Sequence, residues 1–226
     1  MEKSKKLLEN KPSLDALKSA EAELPFRLTN TQEKVAYEII QALQNAGDKQ
    51  TVVVLNGLSG IGKSEVMGVI KKAAELNRAK VIDDDFPYNN INDALKGGHN
   101  GHFIISVLPN KLEEILEKVK AIRRGSVNEA LSTVIVTMKA MNDEEITAMI
   151  NREYGNETTP ADTRLSQEQV KKYSLGVPML AHQLLLPYIT EEVAAGIAAQ
   201  YITYQIDKSF DKQTLELWKT GQVLIA

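Results

Sequence analysis

Three glycines and a lysine follow a block of β-branched residues in the stretch VVVLNGLSGIGKSEV, residues 52 to 66. This stretch fits the pattern G-x-x-x-x-G-K-[ST], with Gly57, Gly62, Lys63 and Ser64 at the defined positions. Glycines at such a turn let consecutive backbone N–H groups point inward around an anion, and a helix that begins there adds its unpaired N-terminal amides. Residues 57 to 64, which we call the glycine loop, are therefore predicted to bind a chain of phosphates.

The side chains at the end of the glycine loop have predicted parts in nucleotide chemistry. Lys63 is predicted to neutralise the β- and γ-phosphates of ATP and to act in catalysis, and Ser64 is predicted to give one oxygen to Mg²⁺. Glu65 is expected beside the nucleotide in the first turn of a helix and not as a catalyst. The other predicted contacts with ATP or ADP come from Gly57, Leu58, Ser59, Gly60, Ile61 and Gly62. The structural alternative is a tight glycine-rich turn with a surface lysine.

Cleaving a phosphate bond also needs carboxylates, which hold Mg²⁺ and orient the attacking group. The stretch VIDDDF supplies Asp83, Asp84 and Asp85 at the end of a second predicted strand, at the sheet edge where α/β proteins bind ligands. Asp84 and Asp85 are candidate catalytic residues, and Asp83 and Asp84 are candidate Mg²⁺ ligands together with Ser64. The alternative is a solvated acidic strand end or helix cap. The third predicted strand, in HFIISVLPN, ends without an acid.

Composition excludes several other classes of chemistry. The 226 residues include no cysteine and three histidines, so disulfides, thiolate catalysis, zinc–thiolate sites and a histidine metal site are excluded. A net charge of −3 provides no overall basic field for nucleic acid. The N-terminus lacks the apolar stretch of a signal peptide, and the longest apolar run is about half of a membrane span. We expect a cytoplasmic protein without a membrane span.

Predicted strands and helices alternate between residues 51 and 155. This alternation predicts an α/β fold with a mainly parallel sheet and helices on both faces, a three-layer sandwich. From Leu165 onward the pattern is helical, and the Pro- and Thr-containing stretch NETTPADT before it is a candidate linker. The predicted domains are an N-terminal helical extension (1–24), a nucleotide-binding α/β domain (25–158) and a small C-terminal helical lid (165–226).

Three stretches in order resemble motifs of the STAND-type signal-transduction ATPases, which are P-loop NTPases related to AAA ATPases. GLSGIGKSEV is similar to their phosphate loop, STVIVTMK to their sensor strand, and LGVPMLAHQLL to their G-x-P helix start. The resemblance implies an ATP- or ADP-dependent switch in which Pro178 lies against the nucleotide and residues 25–28 meet the adenine. Lys139 stands where the family has an arginine, and residues 106–110 lack its acid. Nucleotide binding is therefore better supported than fast hydrolysis.

Three functions remain open from the sequence. The first is a slow ATPase that switches the binding of a protein partner or of a second copy of the chain. The second is a P-loop kinase for a small molecule, in which an acid among Asp83 to Asp85 accepts the proton of the attacking hydroxyl. The third is an interaction module that binds nucleotide without turning it over.

Overall fold

The computed structural model describes residues 13–46, 51–76, 81–84, 102–125, 132–155 and 164–209. The chain divides into two compact units. The sheet unit comprises Met1–Gly57 and Lys63–Met138, and the helical unit comprises Leu58–Gly62 and Lys139–Ala226. The middle of the glycine loop thus groups with the C-terminal helices, while its two ends group with the sheet. The predicted domains 1–24, 25–158 and 165–226 stay predictions.

The described elements of the sheet unit alternate as the sequence predicts. Its strands are β1 (Thr51–Asn56), β2 (Val81–Asp84), β3 (His102–Val107) and β4 (Ser132–Thr137). Its helices are α1 (Leu14–Ala22), α2 (Asn30–Asn45), α3 (Lys63–Leu76) and α4 (Leu112–Gly125), the last preceded by one 3₁₀ turn at Pro109–Lys111.

Side-chain caps fix where the first two helices begin. Ser13 accepts a hydrogen bond from the backbone of Ala16 and caps α1. Thr29 and Gln32 form a reciprocal capping box at the start of α2. The part of the predicted N-terminal helix before residue 13, residues 85–101 and the predicted linker NETTPADT lie outside the described residues.

The four strands form one parallel sheet in the order β2-β3-β1-β4. β1 is central and all six of its residues are buried, which is why TVVVLN is apolar on both faces of the strand. The predicted α/β class with a parallel sheet is confirmed for the described residues.

Helices cover both faces of this sheet. On one face, Val52 and Val54 of β1 pack in a core with β3 and with Ile115 and Val119 of α4. Val53 and Leu55 alternate to the opposite face and are also fully buried. That second layer is supplied by α2, which contacts β4, and by α3, which contacts β2 and β3.

The strands β1 and β3 are neighbours, but the connections that follow them run in opposite directions across the sheet. After β1 the chain passes β3 to reach β2, whereas after β3 it passes β1 to reach β4. In open α/β sheets, this arrangement opens a crevice at the carboxyl ends of the two strands, where ligands bind. In this protein the glycine loop follows β1 at that edge.

The helical unit contains α5 (Asp143–Gly155), α6 (Gln167–Ser174), α7 (Pro178–Leu184) and α8 (Glu191–Ser209). Its core joins α5 to the later helices and includes buried residues such as Ile146, Ile150 and Leu184. Asn142 accepts a hydrogen bond from the Glu145 N–H at 2.9 Å and so caps the start of α5. No described helix is long and apolar enough to cross a membrane.

Gly176 fixes the backbone between α6 and α7. Its φ is +71°, and its carbonyl accepts a hydrogen bond from the Met141 N–H at 2.7 Å. A Cβ at this position would lie 2.6 Å from the Met141 carbonyl oxygen and 2.8 Å from the Ala140 Cβ. The glycine of the G-x-P stretch is therefore required for the close approach of two backbone segments.

We expect Gly176→Ala to lower the free energy of unfolding by about 2 kcal/mol or more, because it combines an unfavourable φ with a backbone clash. The matched control is Gly196→Ala in α8, where an added Cβ meets nothing within 4 Å. That control is expected to raise stability by about 0.5 to 1 kcal/mol through helix propensity. Urea unfolding of the two variants measures both effects, and equal stabilities would contradict the assigned strain.

Candidate functional site

Backbone hydrogen bonds in the sheet unit hold the start of the glycine loop at the carboxyl edge. The Gly57 N–H donates to the Val107 carbonyl at the end of β3 at 3.3 Å. The Asn56 carbonyl accepts from the Met138 N–H, just beyond β4, at 2.8 Å. The loop therefore leaves the sheet between the ends of two neighbouring strands.

Lys63 is the first residue of α3 and its side chain folds back toward the start of the loop. Its Nζ donates to the Gly57 carbonyl at 2.7 Å. The two ends of the loop are thereby tied together, and a positive charge lies where they meet. Ser64 and Glu65 follow in the first turn of α3 and are exposed, so both are open to a ligand from solvent.

The middle of the loop has the backbone conformation that glycine favours. Gly60 has a φ of +74° and Gly62 a φ of +96°. Left-handed residues alternating with ordinary ones turn successive N–H groups toward one side of the chain, which produces an anion-binding concavity. Ile61, between them, is only 2% exposed. The side chain of Ile61 is thus buried while its neighbours supply the turn.

Within the helical unit, α8 makes three hydrogen bonds to Ser59. The Tyr201 hydroxyl donates to the Ser59 carbonyl at 2.6 Å. Gln205, one turn later, donates from Nε2 to the same carbonyl at 3.3 Å and accepts from the Ser59 N–H through Oε1 at 3.4 Å. One residue of the loop, Ser59, is therefore held through both its N–H and its carbonyl by two side chains that lie one helical turn apart.

The beginning of α7 holds the next residue of the loop. The Met179 N–H donates to the Gly60 carbonyl at 3.3 Å. The Met179 side chain also packs against the Gly60 backbone, because a Cβ added at residue 60 would lie 3.0 Å from its Cβ and Cε atoms. Gly60 is thus required both for its φ and for this contact.

Burial raises the pKa of the Tyr201 hydroxyl to about 12, and the nearby Tyr204 adds to the effect. The hydroxyl therefore stays protonated at neutral pH and remains a hydrogen-bond donor to Ser59.

Sequence reasoning did not find Tyr201, Gln205 or Met179 as partners of the loop. A signal was present in the stretch EVAAGIAAQYITYQI, where Tyr201 and Gln205 are four residues apart and share one face of a helix. Gln205 is 5% exposed in an otherwise apolar neighbourhood, and a buried carboxamide needs a polar partner.

Pro178 is the first residue of α7 and is half-buried, a position that suits proline because it lacks a backbone N–H. Its predicted contact with nucleotide stays a prediction. Met179, the next residue, is the one whose backbone reaches the loop.

Asp83 and Asp84 lie on β2, away from the end of β1 in the sheet. β2 is separated from β1 by β3, a separation of about 10 Å. Asp84 pairs with Ile105 of β3, which pairs with Val54 of β1. Asp84 is therefore level with a residue two positions before the end of β1, about 7 Å from the carboxyl edge. Asp83 is one position further back, and Asp85 lies outside the described residues.

No group of three or more His, Cys, Asp or Glu side chains that could hold a metal ion occurs among the described residues. The assignment of Mg²⁺ to Ser64, Asp83 and Asp84, and of catalysis to Lys63, Asp84 and Asp85, stays a prediction.

Asn56, directly before the loop, has a buried polar atom that sequence reasoning did not single out. Its side chain is 9% exposed, and its Oδ1 has no hydrogen-bond partner among the described residues. A buried acceptor without a partner is costly and calls for an explanation in water or ligand. It marks the carboxyl end of β1 as a place where a donor from outside the protein would be stabilised.

Comparison of the chain with protein-family models gives no match, and comparison with curated proteins gives none either. The residues of the loop and their contacts are therefore what indicates a function.

We expect Asn56→Val to raise the free energy of unfolding by about 1 kcal/mol, because it removes an unsatisfied buried acceptor from a strand. Thr51→Val at the other end of β1 is the control, since Thr51 is also buried but has an interaction partner. That control is expected to lower stability. Chemical denaturation distinguishes the two, and a loss of stability in Asn56→Val would show that its oxygen is satisfied in solution.

Proposed function

We propose that the protein binds ATP and ADP through the glycine loop and acts as a slow, Mg²⁺-dependent ATPase that switches the binding of a protein partner. The observation that carries this proposal is the position of Lys63. It begins α3 directly after two glycines with positive φ, and its ammonium group closes onto the carbonyl at the start of the loop. The ammonium group of Lys63 and the unpaired N-terminal amides of α3 thus belong to one short segment, and both kinds of group stabilise a polyphosphate.

The position of the loop in the fold supports the same proposal. The loop follows β1 at the edge where β1 and β3 send their connections in opposite directions, and this is where α/β sheets bind ligands. A tight structural turn has no need of that position or of a lysine at its end. The proposed class is a P-loop NTPase sandwich with a helical lid, and the resemblance to STAND-type ATPases supports it.

Different residues of the chain have different proposed roles in binding the phosphates and Mg²⁺. Backbone N–H groups of the loop would bind the β-phosphate, and Lys63 would neutralise charge on the β- and γ-phosphates. Ser64 is exposed in the first turn of α3, so its hydroxyl is open to a Mg²⁺ ion. When bound, the ion would offset the negative charge of the phosphates.

Slow turnover is proposed because, among the described residues, neither strand beside β1 ends in an acid. The strand next to β1 is β3, and it ends at Val107 without an acid. The aspartates of β2 are one strand further away and lie before the carboxyl edge. A site that binds phosphates tightly and has no base at the ends of the described neighbouring strands would retain its nucleotide for a long time, which suits a switch.

The first test is Lys63→Ala, measured by calorimetry with ATP and Mg²⁺. We expect affinity to fall about 10- to 100-fold, because a charge-assisted contact is lost, with little change in the thermal unfolding temperature. The matched control is Lys71→Ala, which removes the same charge from an exposed position of the same helix. Equal affinity of the wild type and Lys63→Ala would remove the site assignment.

Turnover assays separate the proposed switch from the two alternatives. Slow phosphate release without an added acceptor supports the switch. Release that begins only when a small hydroxyl compound is added would instead favour the kinase. Tight binding with no release under either condition would leave a nucleotide-stabilised interaction module.

A further inference from the structure

The helical unit reaches the glycine loop through hydrogen bonds to two consecutive carbonyls. We propose that Tyr201, Gln205 and the first turn of α7 are positioning residues that set the direction of the phosphate-binding amides. This inference rests on the proposed function and deepens it, because it assigns a role in nucleotide affinity to residues that do not belong to the phosphate-loop pattern.

The peptide that joins Ser59 to Gly60 is held through its carbonyl. A trans peptide is planar and its C=O and N–H point in opposite directions. Because Tyr201 and Gln205 hold the Ser59 carbonyl on the side of α8, the Gly60 N–H points away from α8. Among the described residues, none accepts a hydrogen bond from that N–H. It is thus a fixed donor that a phosphate oxygen can use.

The next peptide, which joins Gly60 to Ile61, is also held through its carbonyl. The Met179 N–H holds the Gly60 carbonyl, which fixes the peptide that follows Gly60. The positive φ of Gly60 lies between the two held peptides. The backbone is therefore restrained on both sides of Gly60, and the direction of the Gly60 N–H is set.

Packing holds these donors in place. Tyr201 is 8% exposed and its ring packs with Val177 and Leu180 in one apolar cluster. Val177 lies two residues before Met179 and Leu180 directly after it, so the contact to Ser59 and the contact to Gly60 share one support. A hydrogen bond made by such a buried, immobile donor costs little further entropy, which is the condition for preorganisation.

This arrangement predicts that phosphate affinity depends on α7 and α8. With the Ser59 carbonyl held, the loop is already in its binding conformation. Without that restraint, the peptide rotates among several orientations, and binding has to select one of them. The effect acts on the phosphates and not on the base, so ATP and inorganic pyrophosphate are expected to lose affinity in the same proportion.

The test measures the affinity of wild type and variants for Mg²⁺–ATP and for Mg²⁺–pyrophosphate by calorimetry. Tyr201→Phe removes only the hydroxyl that donates to Ser59, and we expect about 3- to 10-fold weaker binding of both ligands. Tyr204→Phe is the matched control, because Tyr204 lies on the same helix and is 46% exposed. We expect no change in its affinity.

A second variant and a second measurement distinguish a lost positioning of the Gly60 amide from a general loss of stability. Gln205→Met keeps the volume of the side chain and removes both of its bonds to Ser59, and it is expected to weaken both ligands as well. The ¹⁵N–¹H resonance of Gly60 in the unliganded variants is expected to move, because the peptide is no longer held. A purely structural role would lower the unfolding temperature without moving that resonance.

The outcomes are distinguishable. Wild type that binds both ligands, together with Tyr201→Phe and Gln205→Met that bind them equally well, would overturn this inference and leave the proposed function intact. Weakening of ATP but not of pyrophosphate would also overturn it. Wild type that binds neither ligand would overturn the proposed function and this inference together.

Discussion

Hydrogen-bond satisfaction of the carbonyls in the glycine loop is the constraint on which the site depends. A turn built from glycines has many accessible conformations, and only donors to its carbonyls select one of them. In the sheet unit, Lys63 donates to Gly57. In the helical unit, Tyr201 and Gln205 donate to Ser59, and Met179 donates to Gly60. With a carbonyl held, the N–H on the opposite side of the same peptide has a fixed direction.

The groups that would bind phosphates at the loop differ from the groups that would be needed to cleave them. Amide donors and an ammonium group stabilise a bound polyphosphate, whereas cleavage also needs a base or a metal-holding acid next to the reacting phosphate. The adjacent strand β3 ends in Val107, and the acidic strand β2 lies at the edge of the sheet. The proposed switch follows from this division, since a slow site keeps its nucleotide long enough for a partner to sense it.

The sequence predicts the sheet well, because its signals are local. The β-branched run at Thr51–Asn56 is buried as predicted, and the capping residues Ser13 and Thr29 begin their helices. The contacts of the loop's middle are different, since Ser59 meets residues 142 and 146 positions later in the chain. No local period specifies such a contact. Local sequence signals do not specify the strand order either. The strand order and register place Asp84 level with Val54, two residues before the end of β1.

The most direct test of the central claim is a backbone NMR titration with Mg²⁺–pyrophosphate. The ligand carries phosphates and no base, so it reports on the loop alone. The account predicts that the amide protons of Gly60, Gly62 and Lys63 shift downfield together and more than any others, because they donate to the phosphate oxygens. Shifts confined to exposed lysines, with these three amides unchanged at millimolar ligand, would contradict it.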